Sequence, residues 1–256
     1  MEDFYVIIPS NVRNVSGEKN TTSNFTTYLP RALELDREKW RVGLVHIDYP
    51  HSWTNISGDI GQVELKKGSF KTIYKIPAAF YKTPDAITDA INTGLLRFNF
   101  QSRFVALSNG TCQMNCSRHE KITIHPGLAG LLGFDRTSFS ANVPAERGEV
   151  DYFGVYLMDV RASMYNIYIY SDLVADTVVG DRYVPLLQSI PVRRSEHGSL
   201  IHEEFLHPQY IPLQTGSISS IKIQLCDETG NPVRFTSGHV VVKLHFKKYD
   251  GAREDR

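Results

Sequence analysis

The sequence predicts an antiparallel all-β domain, a sandwich or jelly roll, interrupted by a small β/α elaboration. Three observations lead there. Roughly eight to ten strand-like segments lie outside the middle of the chain, with turn residues between them. The 256 residues include 13 Tyr and 13 Phe, types that favour strands. Helical segments do not alternate with strands as a Rossmann or barrel enzyme requires, and nothing repeats at a period of about 20–50 residues as in a propeller or solenoid.

In chain order, residues 4–10 (FYVIIPS) form an apolar strand, and the polar stretch 11–23 is a mobile loop or arm. Phe25, Thr27 and Leu29 alternate with Thr26 and Tyr28, the pattern of a half-buried strand. Residues 40–49 (WRVGLVHIDY) are apolar on both faces, as a strand covered on each side would be. The middle, about 62–134, holds short strand candidates (VELKK, FKTIYKI, SRFVALS, EKITIH) around one clear helix. That helix starts with Thr83 as N-cap, Pro84 at the first helical position and Asp85 next, and runs to about Leu96. Ile87, Ala90, Ile91 and Leu95 share one stripe at spacings of three and four. A second short helix is predicted over 127–134, after Pro126.

Strands then return. Tyr165, Ile167 and Ile169 alternate with Met164, Asn166, Tyr168 and Tyr170; Pro185 and Pro191 confine RYVPLLQSIPV to an edge or an irregular strand. Ile221, Ile223 and Leu225 oppose Lys222 and Gln224. After the turn ETGNP, Val240, Val242, Leu244 and Phe246 alternate with His239, Lys243 and His245, so a hairpin is predicted here. The polar end after Tyr249 is a loose tail.

Composition narrows the function classes. The hydrophobic share is 41% and the charged share 22%, ordinary globular usage that excludes a disordered or fibrous chain. At this length roughly 70–75% of the unfolded surface can be buried, so a core needs neither disulfide nor metal. Lys+Arg and Asp+Glu are both 28, so no basic surface for specific nucleic-acid binding is expected. Three cysteines are too few for a disulfide framework. The opening MEDFYVIIPS lacks a basic n-region, and no apolar run approaches the ~20 residues that cross a bilayer. A soluble protein of a reducing compartment, with no secretory signal and no membrane partner, is the expectation. The Asn-x-Ser/Thr triplets at Asn14, Asn20, Asn24, Asn55, Asn109 and Asn115 then reflect composition, not glycosylation.

Motifs of chemistry are missing. There is no GxxxxGK(S/T) loop, no GxGxxG after a strand and no GxSxG elbow. Gly127, Gly130 and Gly133 read as the small-residue face of a helix. In HEEFLH, His202 and His207 are five apart and Pro208 follows, whereas a helical zinc pair needs a spacing of four; two surface histidines in an extended segment is the expectation. Cys112, Cys116 and His119 lack both the usual two-residue cysteine gap and a fourth ligand, and Cys226 lies apart in a strand. Arg193 and Arg194, beside Ser195 and Glu196, read as a solvated turn. No catalytic, cofactor-binding or metal-ligating residue is assigned, and no enzyme is expected.

Several stretches together carry a family resemblance. FTTYLPRALELDREKWRVGLVHIDYPHSWTNI resembles the opening of the minor capsid (penton) proteins of Polinton/Maverick elements and related adintoviruses. FYKTPDAITDAIN, LAGLLGFD, NIYIYSDLVADTVVGDRYVPLLQSIPV and ISSIKIQLCDETGNPVRFTSGHVVVKLHFKK are similar to later parts of the same pattern, so the resemblance spans about 25–247. It implies a single jelly-roll capsid domain over 1–256, a homopentamer at the vertices of an icosahedral virion, and the double-jelly-roll major capsid protein as neighbour. It carries no catalytic residues and no cofactor. The insertion at about 62–134 is long for a minimal jelly roll. Neutral net charge suits packed subunits, and the arm and tail are expected to order on assembly. Two other classes stay open: a trimeric jelly-roll binding module for a ligand or carbohydrate, and a cupin-type metal enzyme, for which His46 and His51 flank a strand end without a second histidine cluster.

Overall fold

The structure is a computed structural model that describes residues 3–12, 17, 19–141, 148–161, 164–193 and 196–249. The first apolar runs fold as β1 (Asp3–Pro9), β2 (Asn24–Glu34) and β3 (Trp40–Pro50). An inserted stretch follows with β4 (Gln62–Lys67), β5 (Phe70–Lys75), α1 (Pro84–Arg97), β6 (Arg103–Ala106), β7 (Cys112–Ser117), β8 (Glu120–Ile124), α2 (Pro126–Leu132), β9 (Ser138–Ser140) and β10 (Glu149–Phe153). The chain resumes with β11 (Asn166–Ser171), β12 (Thr177–Val179), β13 (Arg182–Val184), β14 (Leu186–Pro191), β15 (Leu200–Glu204), β16 (Ile211–Pro212), β17 (Ser217–Cys226) and β18 (Val241–Lys248). By contacts it divides into two units: Thr54–Ser163, and the segments on either side of it joined together.

The joined segments build two main antiparallel sheets, β1-β18-β3-β15 with β16 also on β3, and β14-β11-β17-β2, besides the two-stranded β12-β13. Strands in this order, with the chain passing between the sheets at most connections, make a jelly roll. The expected fold class, a jelly roll with a β/α insertion, is present. Its core comes from period-2 alternation: Ile221, Ile223 and Leu225 on β17, and Val242, Leu244 and Phe246 on β18, are fully buried. Burying each such side chain contributes about 1.5–3 kcal/mol. The predicted hairpin between these two strands does not form, because β17 and β18 lie in different sheets. Each strand has one apolar face, and placing them in opposite sheets buries both faces in one core. The proline-bearing segment behaves as expected, with β14 at an edge of its sheet.

Strand β3 is covered on both faces only near its start, where Pro208, Gln209 and Tyr210 pack over the buried Gly43. Val42 and Leu44 point inward, then the register against β18 shifts between Lys243 and Leu244, so that His46 opposes Lys243 and Leu44 opposes Leu244. Val45 is the extra residue of this bulge. Beyond it Ile47 and Tyr49 take the core positions, and His46 and Asp48 turn outward. One bulge thus converts an apolar run into a strand with a polar outer face.

Part of the predicted arm is held: Asn20 Nδ2 donates to Val12 O (2.9 Å) and Thr26 O (3.1 Å), and Thr26 N donates to Asn20 Oδ1 (2.9 Å). Residues 13–16 and 18, and the tail from 250, lie outside the described residues.

The Thr54–Ser163 unit has its own core, between the sheets β5-β4-β8-β9 and β10-β7-β6 and the two helices. The helix predicted from Thr83 forms: the Thr83 hydroxyl accepts from Ala86 N at 3.2 Å, and Ile87, Ile91 and Leu95 are buried. The second helix stops at Leu132, short of the predicted 134, because Gly133 is a left-handed cap (φ 79°) whose N–H bonds back to the last turn. Only glycine fits there, since a Cβ would lie 2.1 Å from Tyr156 O. Glu120, 2% exposed, closes one end of this core. Its carboxylate accepts from Gln101 N (3.0 Å), Ser102 N (3.0 Å) and Ser102 Oγ (2.6 Å), and pairs with Lys67 Nζ at 2.8 Å. Asn55, one of the Asn-x-Ser/Thr positions, is buried and bridges Tyr81 O (2.9 Å) and Val160 O (2.6 Å). These bonds, with the pairing of β10 to β7, carry the unit beyond 62–134 at both ends.

Candidate functional site

The outer face of the β1-β18-β3-β15 sheet carries the most unusual side-chain set in the jelly roll. A shallow depression of about 630 Å³ lies on it, lined among others by Tyr5, Ile7, His46, Asp48, Lys243 and His245. Tyr5 is 57% and Ile7 62% exposed, and Leu200 and Leu206 on the same side of the chain's fold are also exposed. The Tyr5 ring stacks on His245 at 4.5 Å, and the Lys243 ammonium lies 4.7 Å from the Tyr5 ring centre. Tyr210 Oη and His245 Nδ1 are 2.6 Å apart. Burial pushes the His245 imidazole below its ordinary value, Lys247 and Lys243 add to this, and Asp3 opposes it.

Asp48 joins two strands. In the register His202 of β15 faces Asp48 of β3. His46 Nε2 donates to Asp48 Oδ2 at 2.9 Å, and His202 Nδ1 donates to Oδ1 at 2.8 Å. The two rings meet edge to face with centres 4.1 Å apart. Partial burial pushes the Asp48 carboxyl up, but the hydrogen bonds and charges of His46 and His202 outweigh it and hold the group below the ordinary carboxylate value. Among the described residues this is the one trio of His, Cys, Asp or Glu with ligand atoms all within 4.8 Å of one another.

The other candidates separate. His202 and His207 are both exposed, as expected, but only His202 lies in the extended strand, His207 falling in the bend after it, and the partners of His202 come from across the sheet, which HEEFLH alone could not reveal. His46 and His51 do not share a site: His46 faces outward, while His51 is buried against Trp53 with ring centres at 4.3 Å. Cys112 and Cys116 are buried on the same face of β7, about 13 Å apart along an extended strand, and His119 is exposed on the following turn at φ 65°. All three thiols are free, and burial raises each, Cys112 to about 12. Arg193 pairs at 3.5 Å with Glu203, and Arg194 and Ser195 lie outside the described residues.

In the Thr54–Ser163 unit Phe153, Val155, Tyr156 and Leu157 form an exposed apolar run, each 57–66% exposed, and Phe70, Ile73 and Leu96 are exposed as well. Among the described residues no helix is long and apolar enough to cross a membrane.

No protein-family model matches the chain, and no curated protein is similar to it in sequence. Solved structures are similar. A chain from the cryo-EM structure of the Sputnik virophage superposes with a TM-score of 0.51 at 11% identity, covering 97% of this chain and 98% of that one. The crystal structure of the mavirus penton protein gives 0.49 at 10% identity, covering 96% and 99%. The Sputnik likeness is one of fold, over nearly the whole of both chains.

Proposed function

We propose that the chain is a structural virion protein, the penton (minor capsid) subunit at the vertices of an icosahedral capsid. The observation that carries this reading is the jelly roll itself: a five-stranded and a four-stranded sheet, with the likeness to a virophage chain extending across 97% of the molecule. The family-like segments between 25 and 247 support it independently of the coordinates. So do the exposed apolar side chains of both units, which an assembly would cover. In this reading the chain is one capsid domain with the β/α elaboration inserted between β3 and β11, it assembles as a homopentamer, and its neighbour is a double-jelly-roll major capsid protein. It performs no catalysis. A ring of five arises where one flank of a subunit meets a different flank of the next and the rotation closes.

The test is the solution mass by light scattering during size exclusion. A pentamer has about 145 kDa (5 × 29.0 kDa) and supports the proposal. A trimer near 87 kDa (3 × 29.0 kDa) overturns it in favour of a ligand-type jelly roll. So does a monomer that stays out of the particles when coexpressed with a double-jelly-roll capsid protein.

A further inference from the structure

We propose that His46, Asp48 and His202 form a metal site that binds one first-row divalent cation, zinc above all, and ties β3 to β15. The inference stands apart from the capsid assignment, since it rests on side chains of one sheet face. Two imidazoles and one carboxylate are the donor set of borderline ions such as Zn²⁺, whereas Mg²⁺ and Ca²⁺ favour all-oxygen shells. Three protein ligands leave a fourth position of a tetrahedron open to solvent.

The geometry is close to what such an ion needs. A tetrahedral ion with ligands at about 2.0–2.2 Å separates the ligand atoms by about 3.3 Å. Here His46 Nε2 lies 2.9 Å from Asp48 Oδ2 and His202 Nδ1 lies 2.8 Å from Oδ1, so a small turn of the carboxylate or of the His202 ring brings one Asp48 oxygen and both imidazoles to a single ion. One ligand atom from each of the three residues lies within 4.8 Å of the other two. The His202 side chain is 63% exposed and has room to turn, while His46, 19% exposed, is fixed by the bulge at Val45. Lys243, which opposes His46, is drawn over the Tyr5 ring and does not claim Asp48. Glu204, across from His46 in the register, adds a second carboxylate to the same face. When the ion binds, the proton that lies between each ring and Asp48 moves to the other nitrogen of that ring if the imidazole is neutral, or to solvent if it is protonated, so both histidines ligate as neutral imidazoles. The three thiols do not compete, because all are buried.

The full chain, stripped with EDTA and dialysed into a non-coordinating buffer, is titrated with ZnCl₂ by calorimetry. One saturable site per chain is expected. His202→Ala, a surface change that leaves the core intact, is expected to weaken it at least about tenfold, the scale on which site residues act. His46→Ala should do the same, and the surface controls His207→Ala and His239→Ala should not. Co²⁺ in place of Zn²⁺ should give the visible absorption of a tetrahedral site in the native chain and lose it in His202→Ala. No saturable binding, or a His202→Ala isotherm equal to the native one, overturns the proposal.

Discussion

Replacing Glu120 by alanine should selectively destabilise the inserted unit. Its side chain is 1% exposed, and its carboxylate accepts from two backbone N–H groups and one hydroxyl besides Lys67. Lys67 is 42% exposed, so water takes over much of its solvation and the ion pair is the smaller part of the loss. The larger part is the buried Ser102 N–H and hydroxyl, each costing about 1–3 kcal/mol if left without an acceptor, whereas Gln101 is exposed and water can take over its N–H. Such losses are less than additive, so the total expected is about 3–5 kcal/mol. Acid should act on the same group. Desolvation raises the Glu120 carboxyl, but Lys67, the Ser102 hydroxyl and the two backbone donors together outweigh it and hold it below the ordinary 4.5. A depressed carboxyl adds stability that is whole above 4.5 and fades as pH falls through the lower folded value. The two units carry separate probes: both helices lie within Thr54–Ser163 among the described residues, and both tryptophans, Trp40 and Trp53, lie outside it. Urea unfolding followed by helical ellipticity should shift to lower denaturant in Glu120→Ala near neutrality, and the gap to the native chain should narrow below pH 4.5. A helical transition that coincides with the native one at neutral pH, or a gap that stays constant into acid, refutes the reasoning.

Other expectations follow from single positions. Gly94→Ala should lower the midpoint of the helical transition although alanine favours a helix by about 1 kcal/mol, because its Cβ would lie 2.1 Å from the Tyr74 ring and overpacking costs about 1–3 kcal/mol. Tyr49→Phe should leave the chain as stable or about 1 kcal/mol more stable by tryptophan-monitored unfolding, since the Tyr49 hydroxyl is buried with no hydrogen-bond partner among the described residues. Burial already pushes that phenol to about 12. Cys112, Cys116 and Cys226 should resist Ellman's reagent in the native state, and all should react once urea exposes them.

What could be read from the sequence was local. Alternation at Ile221, Ile223 and Leu225 marks a strand because neighbours in sequence settle which side is apolar, and Thr83–Pro84–Asp85 marks a helix start because a cap is a contact within one turn. Which sheet a strand joins is not local, so the apolar faces of β17 and β18 fitted a hairpin as well as two opposed sheets. Strand β7 was missed because Cys112, Met114 and Cys116 fill a core without being β-type residues. The candidate site was invisible for two physical reasons. His202 meets Asp48 across 154 residues, and His46 faces outward only because Val45 is bulged.

The pairing of β1 with β18, which sets Asp3 against Lys247, has a bearing on synthesis. On the ribosome the stretch Thr54–Ser163 emerges as one continuous piece, and all its strand partners come with it. The jelly roll cannot close its β1-β18-β3-β15 sheet until the last strand leaves the exit tunnel. The nascent chain is therefore expected to carry a finished insertion between unfinished flanks, so the frame that gives the fold its name is completed last.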